Sequence, residues 1–152
     1  MNFQTVVDSI KVKFSRVDVE HEKVIVVPAS DFLPVVDFLR STLQMNVLDL
    51  LTASDHISEN QIHMMYGFYS YANKTYLRIK VRLDRKDPAM PTLTSLWEAA
   101  NWFEREVFDL FGVRFEGHPD LRRILTPPDF EGHGLRKDYE RPGFFVKKPD
   151  FK

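Results

Sequence analysis

The amino-acid sequence predicts a single α+β domain, in which helices pack against a mixed or antiparallel sheet, followed by an extended C-terminal tail. In residues 62–68 and 77–83 every second side chain is large and apolar, as in two paired strands. Three other segments repeat apolar residues at helical spacing. After residue 112, prolines, glycines and aromatic residues replace both patterns. We therefore expect a globular domain over residues 1–112 and an extended tail over 113–152.

The first third of the chain contains two predicted helices and two predicted strands. Apolar residues at helical spacing predict a helix over residues 3–14, and a β-branched run predicts a strand over 23–28. The second helix should begin near Asp31, because aspartate is a common N-cap residue. Residues 47–51 are typical of a buried strand.

The two alternating segments predict a hairpin with its turn near Asn73 and Lys74. On the second strand Arg78, Lys80 and Arg82 lie on the face opposite the apolar side chains. Such a basic face could attract an acidic partner or RNA, but a solvated face is the more common arrangement. We therefore interpret it as the exposed side of a half-buried strand.

The third helix is predicted over residues 95–111, with Ser95 and Glu98 as a capping box and Gly112 as its C-terminal cap. Glu104 and Glu106 lie roughly 160° apart around this helix. They therefore cannot act together as general acid and base on one atom. Glu104 is expected in an apolar setting where a lone carboxylate is costly, so we predict an arginine partner from the tail.

The far side of the third helix is expected to be polar and exposed. Arg105 and Asp109 are four residues apart, which predicts a surface ion pair. Trp102 shares this face, and tryptophan is enriched at protein interfaces. Both a contact site and a merely exposed side chain are compatible with the sequence.

Composition excludes several classes of function. The 152 residues include no cysteine, which excludes disulfides, thiolate nucleophiles and cysteine-ligated iron–sulfur clusters on this chain. The net charge of −1 gives no reason to expect nucleic-acid binding. No apolar run approaches the ~18 residues that cross a bilayer, and the N-terminus lacks the apolar core of a signal peptide. We expect the chain to stay in the cytoplasm unless a partner tethers it.

A four-residue segment, Phe-Glu-Gly-His, occurs at 115–118 and again at 130–133, and each copy is followed by a basic pair. Its histidines and glutamates suggest a metal site, but the spacing matches no known ligand motif, so we predict no metal ligands. An anion site built from the four cations is a second interpretation. The third is structural, with two glycine-dependent turns whose side chains tie loops to carboxylates.

One long, ordered set of residues is familiar. The sequence EREVFDLFG at 104–112 continues as FEGHPDLRRIL at 115–125 and is followed by FEGH and LRKDY between 130 and 139. This set closely resembles the signature of the 30 kDa subunit-like family of respiratory complex I, the NADH-quinone oxidoreductase. One departure is Gly134, where the family usually has proline.

The resemblance implies a non-catalytic, peripheral-arm subunit of a proton-translocating NADH:quinone oxidoreductase. Its tail would extend over the quinone-site subunit, which is related to the large subunit of nickel–iron hydrogenases. It implies no cofactor on this chain, since other subunits would bind NADH, FMN, iron–sulfur clusters and quinone. The complex would hold the chain peripherally on the cytoplasmic side of the inner membrane. The same family also serves membrane-bound hydrogenases and formate hydrogenlyases, so the parent complex stays open.

Some residues are expected at the partner interface or in charged pairs that fix the tail. They are Trp102, Glu104, Arg105, Glu106, Asp109, His118, Arg122, Arg123, His133, Arg136, Lys137 and Asp138.

Two hypotheses from other classes compete with the role of a structural subunit. A free-standing enzyme would need Glu104, His118 and His133 to converge in one pocket. An RNA-binding module would use the basic strand face, but the near-neutral charge argues against it.

Overall fold

A computed structural model describes residues 2–140 of the chain and confirms the predicted α+β class. Residues 141–152, which include Phe144, Phe145 and Phe151 of the predicted tail, lie outside the described residues. In chain order the helices and strands are α1 (Phe3–Lys13), β1 (Asp18–His21), β2 (Val24–Val26), α2 (Phe32–Ser41), β3 (Val47–His56), β4 (Gln61–Ser70), β5 (Thr75–Asp84), β6 (Ala89–Pro91), α3 (Ala100–Phe111) and β7 (Arg114–Glu116). No helix within residues 2–140 has both the length and the apolar character needed to cross a membrane.

Five strands form one mixed sheet in the order β1-β2-β5-β4-β3. Strands β3, β4 and β5 are joined as consecutive antiparallel hairpins, whereas β2 runs parallel to β5. The predicted hairpin is therefore confirmed, and its turn lies at Asn73 and Lys74, as expected. Lys74 takes a positive φ of 49° in that turn.

Helix α2 and the turn before α3 cover one face of the sheet, and the ring of Phe14, the C-cap of α1, lies 5.9 Å from that of Phe38 in α2. The ring of Phe32 in α2 lies 4.5 Å from that of Tyr66 in β4. Before α3, the indole of Trp97 lies 5.2 Å from the ring of Phe68 and donates to the carbonyl of Asn46 at 3.0 Å. Because side chains alternate along a strand, Tyr66 and Phe68 belong to one face. The hydrophobic core therefore forms a single layer between the sheet and the helices.

The opposite face of the sheet carries the predicted basic row, and an acidic residue of the same chain pairs with it. Glu20 in β1 forms ion pairs with Lys80 and, at 3.2 Å, with Arg82. The hydrogen bond from Lys80 lowers the pKa of the Glu20 carboxyl. Strand β1 was not predicted, and its Glu20 is the acidic residue that pairs with the basic row.

One predicted cap is confirmed in position, and the other is wrong. Asp31 is the N-cap residue of α2, as predicted, but its side chain makes no capping hydrogen bond and instead pairs with Arg16, with Arg16 Nε donating at 2.9 Å. Ser95 and Glu98 form no capping box, because α3 begins only at Ala100. The residues before it form a separate turn in which the carbonyl of Leu93 accepts two amides. This turn lets Trp97 reach the core.

The globular domain continues beyond Gly112, where the sequence predicted that the tail begins. Strand β7 pairs in parallel with β6, and Val113 and Phe115 are buried in the core. The described part of the predicted tail, residues 113–140, then folds back over α3. How it is held there defines the candidate site.

Candidate functional site

Helix α3 ends where residues 113–140, which form the returning chain, cover it. Gly112 takes a φ of +75° as the C-terminal cap, and this confirms the cap predicted from the sequence. The ring of His133 lies directly over Gly112, so that an added Cβ would be 2.5 Å from the imidazole. Nearby, the amide of Leu135 donates to the carbonyl of Leu110 at 3.0 Å. A glycine here therefore serves both the turn and the close approach of the histidine.

The carboxylate of Asp109 fixes the returning chain against the side of α3. Its Oδ2 accepts three successive backbone amides, those of Ile124, Leu125 and Thr126, at 2.8–3.0 Å. Its Oδ1 accepts from Arg123 at 2.8 Å and from the hydroxyl of Thr126. Burial alone would raise the pKa of Asp109, but these hydrogen bonds outweigh it and hold the pKa far below the usual range. The buried carboxylate is therefore ionised and fully bound.

The predicted surface pair of Arg105 and Asp109 is wrong. Both residues are buried, and Asp109 pairs with Arg123. Arg105 instead donates from Nε to the carbonyl of Arg122 at 3.2 Å, and its guanidinium lies 5.1 Å from the indole centroid of Trp102. Helical spacing places the two side chains on one face, but the returning chain covers that face and supplies better partners.

Glu104 is buried as predicted, but within residues 2–140 its hydrogen-bond partners do not include the expected arginine. Its Oε1 accepts the amide of Leu93 and its Oε2 the hydroxyl of Thr92, both at 2.6 Å. No arginine in residues 2–140 pairs with it, and His118 Nε2 lies 4.0 Å away. Burial raises the pKa of Glu104 to about 7, although both hydrogen bonds lower it. Neutral donors thus hold a carboxyl group that is half protonated near neutral pH.

His118 connects the segment after β7 to the start of α3. Its Nδ1 accepts the amide of Asp120 at 3.0 Å, so the proton of the ring lies on Nε2. This Nε2 lies 3.2 Å from the carbonyl of Asn101, to which it donates. Both ring nitrogens of His118 therefore have backbone partners, and Glu104 is not among these hydrogen-bond partners.

Like His118, His133 binds a backbone carbonyl of α3, but near the other end of the helix. Its Nδ1 donates to the carbonyl of Asp109 at 3.0 Å. The carbonyls of Asn101 and Asp109 are eight residues apart in one helix, or about 12 Å along its axis. The two histidines therefore do not converge on one atom. This separation argues against a metal shared by the Phe-Glu-Gly-His repeats and against the free-standing enzyme.

The second basic pair, Arg136 and Lys137, and the following Asp138 contact the sheet through Asp55 and Arg85. Neither Asp55 nor Arg85 was predicted from the sequence. Asp55, at the end of β3, binds Arg85 through both carboxylate oxygens at 2.6 and 2.9 Å, and it also accepts the amide of Lys137 at 2.7 Å. The hydrogen bond from Arg85 lowers the pKa of Asp55. Arg85 also pairs with Asp138. Arg136 donates to the carbonyls of Phe111 and Arg85 at 2.7 and 3.2 Å.

These contacts do not favour an anion site made by the four cations. The guanidinium groups of Arg123 and Arg136 bind groups of their own chain, and Arg122 pairs with Asp120 at 2.9 Å. The side chain of Lys137 is exposed, as is Glu106 on α3. The third interpretation of the repeats, two turns that tie loops to the domain, is the one that these contacts match.

Arg85 and Asp55 gave little sequence signal. Asp55 stands near the end of a strand predicted only to residue 51, and Arg85 lies just beyond the alternating segment over residues 77–83. Strand β3 also contains Asp49, Thr52, Ser54 and His56, so the aspartate at 55 does not stand out in the sequence.

Comparison with known proteins gives the family. The model of the family described as "Respiratory-chain NADH dehydrogenase, 30 Kd subunit" matches residues 25–144. The chain is 50% identical over 115 residues to a subunit of the NADH-quinone oxidoreductase of Moorella thermoacetica, covering 76% of this chain and 78% of the relative. It is 42% identical to the same subunit from Geobacter metallireducens over 124 residues, covering 80% and 76%. The chain therefore belongs to the 30 kDa subunit family of respiratory-chain NADH dehydrogenase.

Two solved structures share the fold. One is a trypsin-resistant fragment (1–134) of Nqo5, with a TM-score of 0.69 and 27% identity over 80% of this chain and all of that one. The other belongs to the membrane-bound sulfane sulfur reductase, an archaeal respiratory membrane complex, with a TM-score of 0.71 and 26% identity over 98% of both chains. The fold thus occurs in more than one kind of respiratory complex.

Proposed function

We propose that the chain is a non-catalytic, peripheral-arm subunit of a proton-translocating NADH:quinone oxidoreductase, in which it holds the quinone-site subunit in place. The observation that carries the proposal is the use made of the charged signature residues. Most of them bind amides, carbonyls and one another within this chain, and so they fix the shape of the surface over α3. The names of the relatives, which are subunits of respiratory enzymes, support the same role.

The surface so formed includes three exposed apolar side chains. Trp102 on α3 is 64% exposed, and Leu125 and Leu135 on the returning chain are 60% and 52% exposed. Trp102 stacks on Arg105, and Arg105 binds the segment that leads to Leu125. Tryptophan is enriched among the residues that dominate binding energy at protein interfaces, and exposed apolar patches mark interaction sites.

We infer that this surface contacts the quinone-site subunit, which is related to the large subunit of nickel–iron hydrogenases. NADH, FMN, iron–sulfur clusters and quinone then bind to other subunits of the complex. This chain remains peripheral, on the cytoplasmic side of the inner membrane, and is attached through the complex alone.

A second parent complex is supported by one observation. The structural likeness to a chain of the sulfane sulfur reductase covers nearly the whole of both chains. The equivalent place in a membrane-bound hydrogenase, a formate hydrogenlyase or a sulfur-reducing complex is therefore the alternative to NADH:quinone oxidoreductase.

The proposal is tested by gentle affinity purification of the tagged full chain from solubilised membranes of its host, followed by mass spectrometry. We expect flavin, iron–sulfur and membrane subunits to be recovered together with NADH:quinone reductase activity. Recovery with hydrogenase, formate dehydrogenase or sulfur reductase subunits would support the alternative parent complex. Recovery of the chain alone would contradict the subunit role.

The inferred surface is tested by Trp102→Ala in the same purification. Tyr71→Ala is the matched control, because Tyr71 is an aromatic residue of similar exposure, 74%, in the turn between β4 and β5. Trp102→Ala should lower the yield of co-purified subunits, whereas the control should not. Equal yields from the two variants would place the interface elsewhere.

A further inference from the structure

A cluster of metal-ligand side chains lies at the tip of the β3–β4 hairpin, away from α3. It consists of His56 at the end of β3, Glu59 in the connecting 3₁₀ turn, and His63 in β4. His63 lies opposite Ser54 in the β3–β4 register, so the two histidines are diagonal neighbours on one face of the sheet. Their rings are stacked, with centroids 3.8 Å apart and planes inclined by 22°.

The carboxylate of Glu59 lies between the two rings. Its Oε1 is 3.5 Å from His56 Nδ1, and its Oε2 is 3.4 Å from His63 Nε2. Ligand atoms about 2.0–2.2 Å from a tetrahedral zinc ion are about 3.3–3.5 Å from one another. Each histidine therefore already lies at a suitable separation from one oxygen of Glu59, His56 from Oε1 and His63 from Oε2. One ligand atom from each of the three residues lies within 4.8 Å of the other two. Because an imidazole binds an ion in the plane of its ring, the ring of His56 must rotate out of the stack for both nitrogens to bind the same ion.

Neighbouring polar groups would orient the ligands. The hydroxyl of Ser54 lies 3.0 Å from His56 Nε2, where it can accept the ring proton and leave the lone pair of Nδ1 toward Glu59. The side-chain oxygen of Gln61 accepts from His63 Nε2 at 2.9 Å, so this ring must move its proton to Nδ1 before Nε2 can bind an ion. The contact of His56 with Ser54 is of the kind that fixes the tautomer and direction of histidines that bind metals.

We propose that His56, Glu59 and His63 form a binding site for one divalent transition-metal ion, with zinc as the ion best matched to the ligands. Two imidazoles and one carboxylate suit zinc, cobalt, nickel or copper, whereas calcium and magnesium prefer sites made of oxygen alone. His63 is buried, while His56 and Glu59 stand at the rim. The ion can therefore enter from solvent and retain a water ligand.

The positive charge opposite the cluster limits its affinity. Arg82 in β5 is the cross-strand neighbour of His63, and a dication would be repelled by it. Glu20 binds Arg82 and neutralises part of this charge. The site would tie the 3₁₀ turn to both strands of the hairpin, and it is independent of the proposed place in a respiratory complex. It was not predicted from the sequence, where the histidines of the repeats were the only ones that suggested a metal.

The test uses the purified full chain without a polyhistidine tag, stripped with a chelator and titrated with ZnCl₂ in a calorimeter. Co²⁺ serves as the spectroscopic probe, since its visible absorption reports the coordination geometry. We expect one ion per chain, and at least roughly tenfold weaker binding in both Glu59→Gln and His56→Ala. His21→Ala is the control, because His21 is an exposed histidine on β1.

Both ligand variants change side chains at the rim, so circular dichroism should show them folded. Unchanged binding in His21→Ala together with the loss in the two variants supports the site. No uptake of zinc or cobalt by the unaltered chain would overturn the proposal. So would equal binding by all four proteins, since the ion would then be held elsewhere.

Discussion

Arg123 donates to both the carboxylate and the backbone carbonyl of Asp109, at 2.8 and 3.1 Å. The same guanidinium also reaches the carbonyl of Gly132 at 2.8 Å. One side chain of the returning segment thus joins α3, its own turn and the second Phe-Glu-Gly-His repeat. The partner carboxylate is buried, so the fold depends on keeping it bound.

Asp109→Asn tests this dependence. The substitution removes the charge and places an amide nitrogen among groups that are all donors. We expect the free energy of unfolding to fall by about 3–5 kcal/mol, the usual cost of breaking a buried pair. Urea denaturation of the purified full chain measures it. Asp120→Asn is the control, since the Asp120–Arg122 pair is exposed, and it should change stability by less than about 1 kcal/mol. Equal losses of stability in the two variants would contradict the prediction that the buried pair of Asp109 contributes more than the exposed pair of Asp120.

Because of Glu104, we expect the free energy of unfolding to fall as pH rises. The pKa of its carboxyl is about 7 in the folded chain, against 4.5 for an ordinary glutamate. Between these values the folded state keeps a proton that the unfolded state releases, so stability declines as pH increases from about 4.5 to 7. The decline amounts to roughly 3 kcal/mol and is complete above pH 7.

Glu104→Gln isolates this contribution, because glutamine has the same shape and does not titrate. Urea denaturation at a series of pH values from 5 to 8 should show a shallower decline in the variant. The difference between the two proteins removes the effect of every other titrating group. Identical pH profiles would mean that Glu104 is not held in its neutral form.

Arg85→Met tests the contact between the sheet and the end of the described chain. Methionine keeps much of the apolar stem but leaves the carboxylate of Asp55 buried without its cation. We expect a loss of about 3–5 kcal/mol and faster hydrogen exchange of the Lys137 amide, which Asp55 binds. Arg114→Met removes an exposed pair with Asp87 and should leave that exchange rate unchanged. Protection of the Lys137 amide in both variants would contradict the prediction.

Gly112→Ala tests the cap of α3. The positive φ costs a non-glycine residue roughly 1 kcal/mol, and displacement of the His133 ring adds to it. Gly134→Ala is the control, since an added Cβ there would meet only Phe130, at 3.8 Å. Thermal unfolding should show a lower Tm for Gly112→Ala alone. The double variant Gly112→Ala/His133→Ala should lose less than the sum of its single changes, because the clash is removed.

The parts of the fold that carry long periodic patterns were predictable from the sequence. Strand β5 alternates along its ten residues, and β4 has a large apolar side chain at every second position from Ile62 to Phe68. The apolar spacing of the three helices was equally clear. Strands β1, β6 and β7 have three or four residues each, too few for an alternating pattern to be recognised. Their pairing is decided by distant parts of the chain, such as the parallel partner of β7 at Ala89–Pro91.

The charged residues of the site were identified more readily than their partners. Asp109 and Glu104 were both expected to pair with arginines, yet much of their binding comes from backbone amides. Every residue except proline offers an amide, so its use as a donor leaves no mark in the sequence. The helical positions of Arg105 and Asp109 also suggested exposure, because the geometry of one helix contains no information about the chain that covers it.

The order of synthesis gives the Asp109 contacts a further consequence. The groups that bind its carboxylate lie 14 to 17 residues later in the chain. At about 5–20 residues per second, a growing chain contains the finished α3 for roughly one to three seconds before those groups are made. During that interval the outer side of the helix has no cover, and Asp109 must stay in water. The last region of this domain to close is therefore the surface that we propose for its partner.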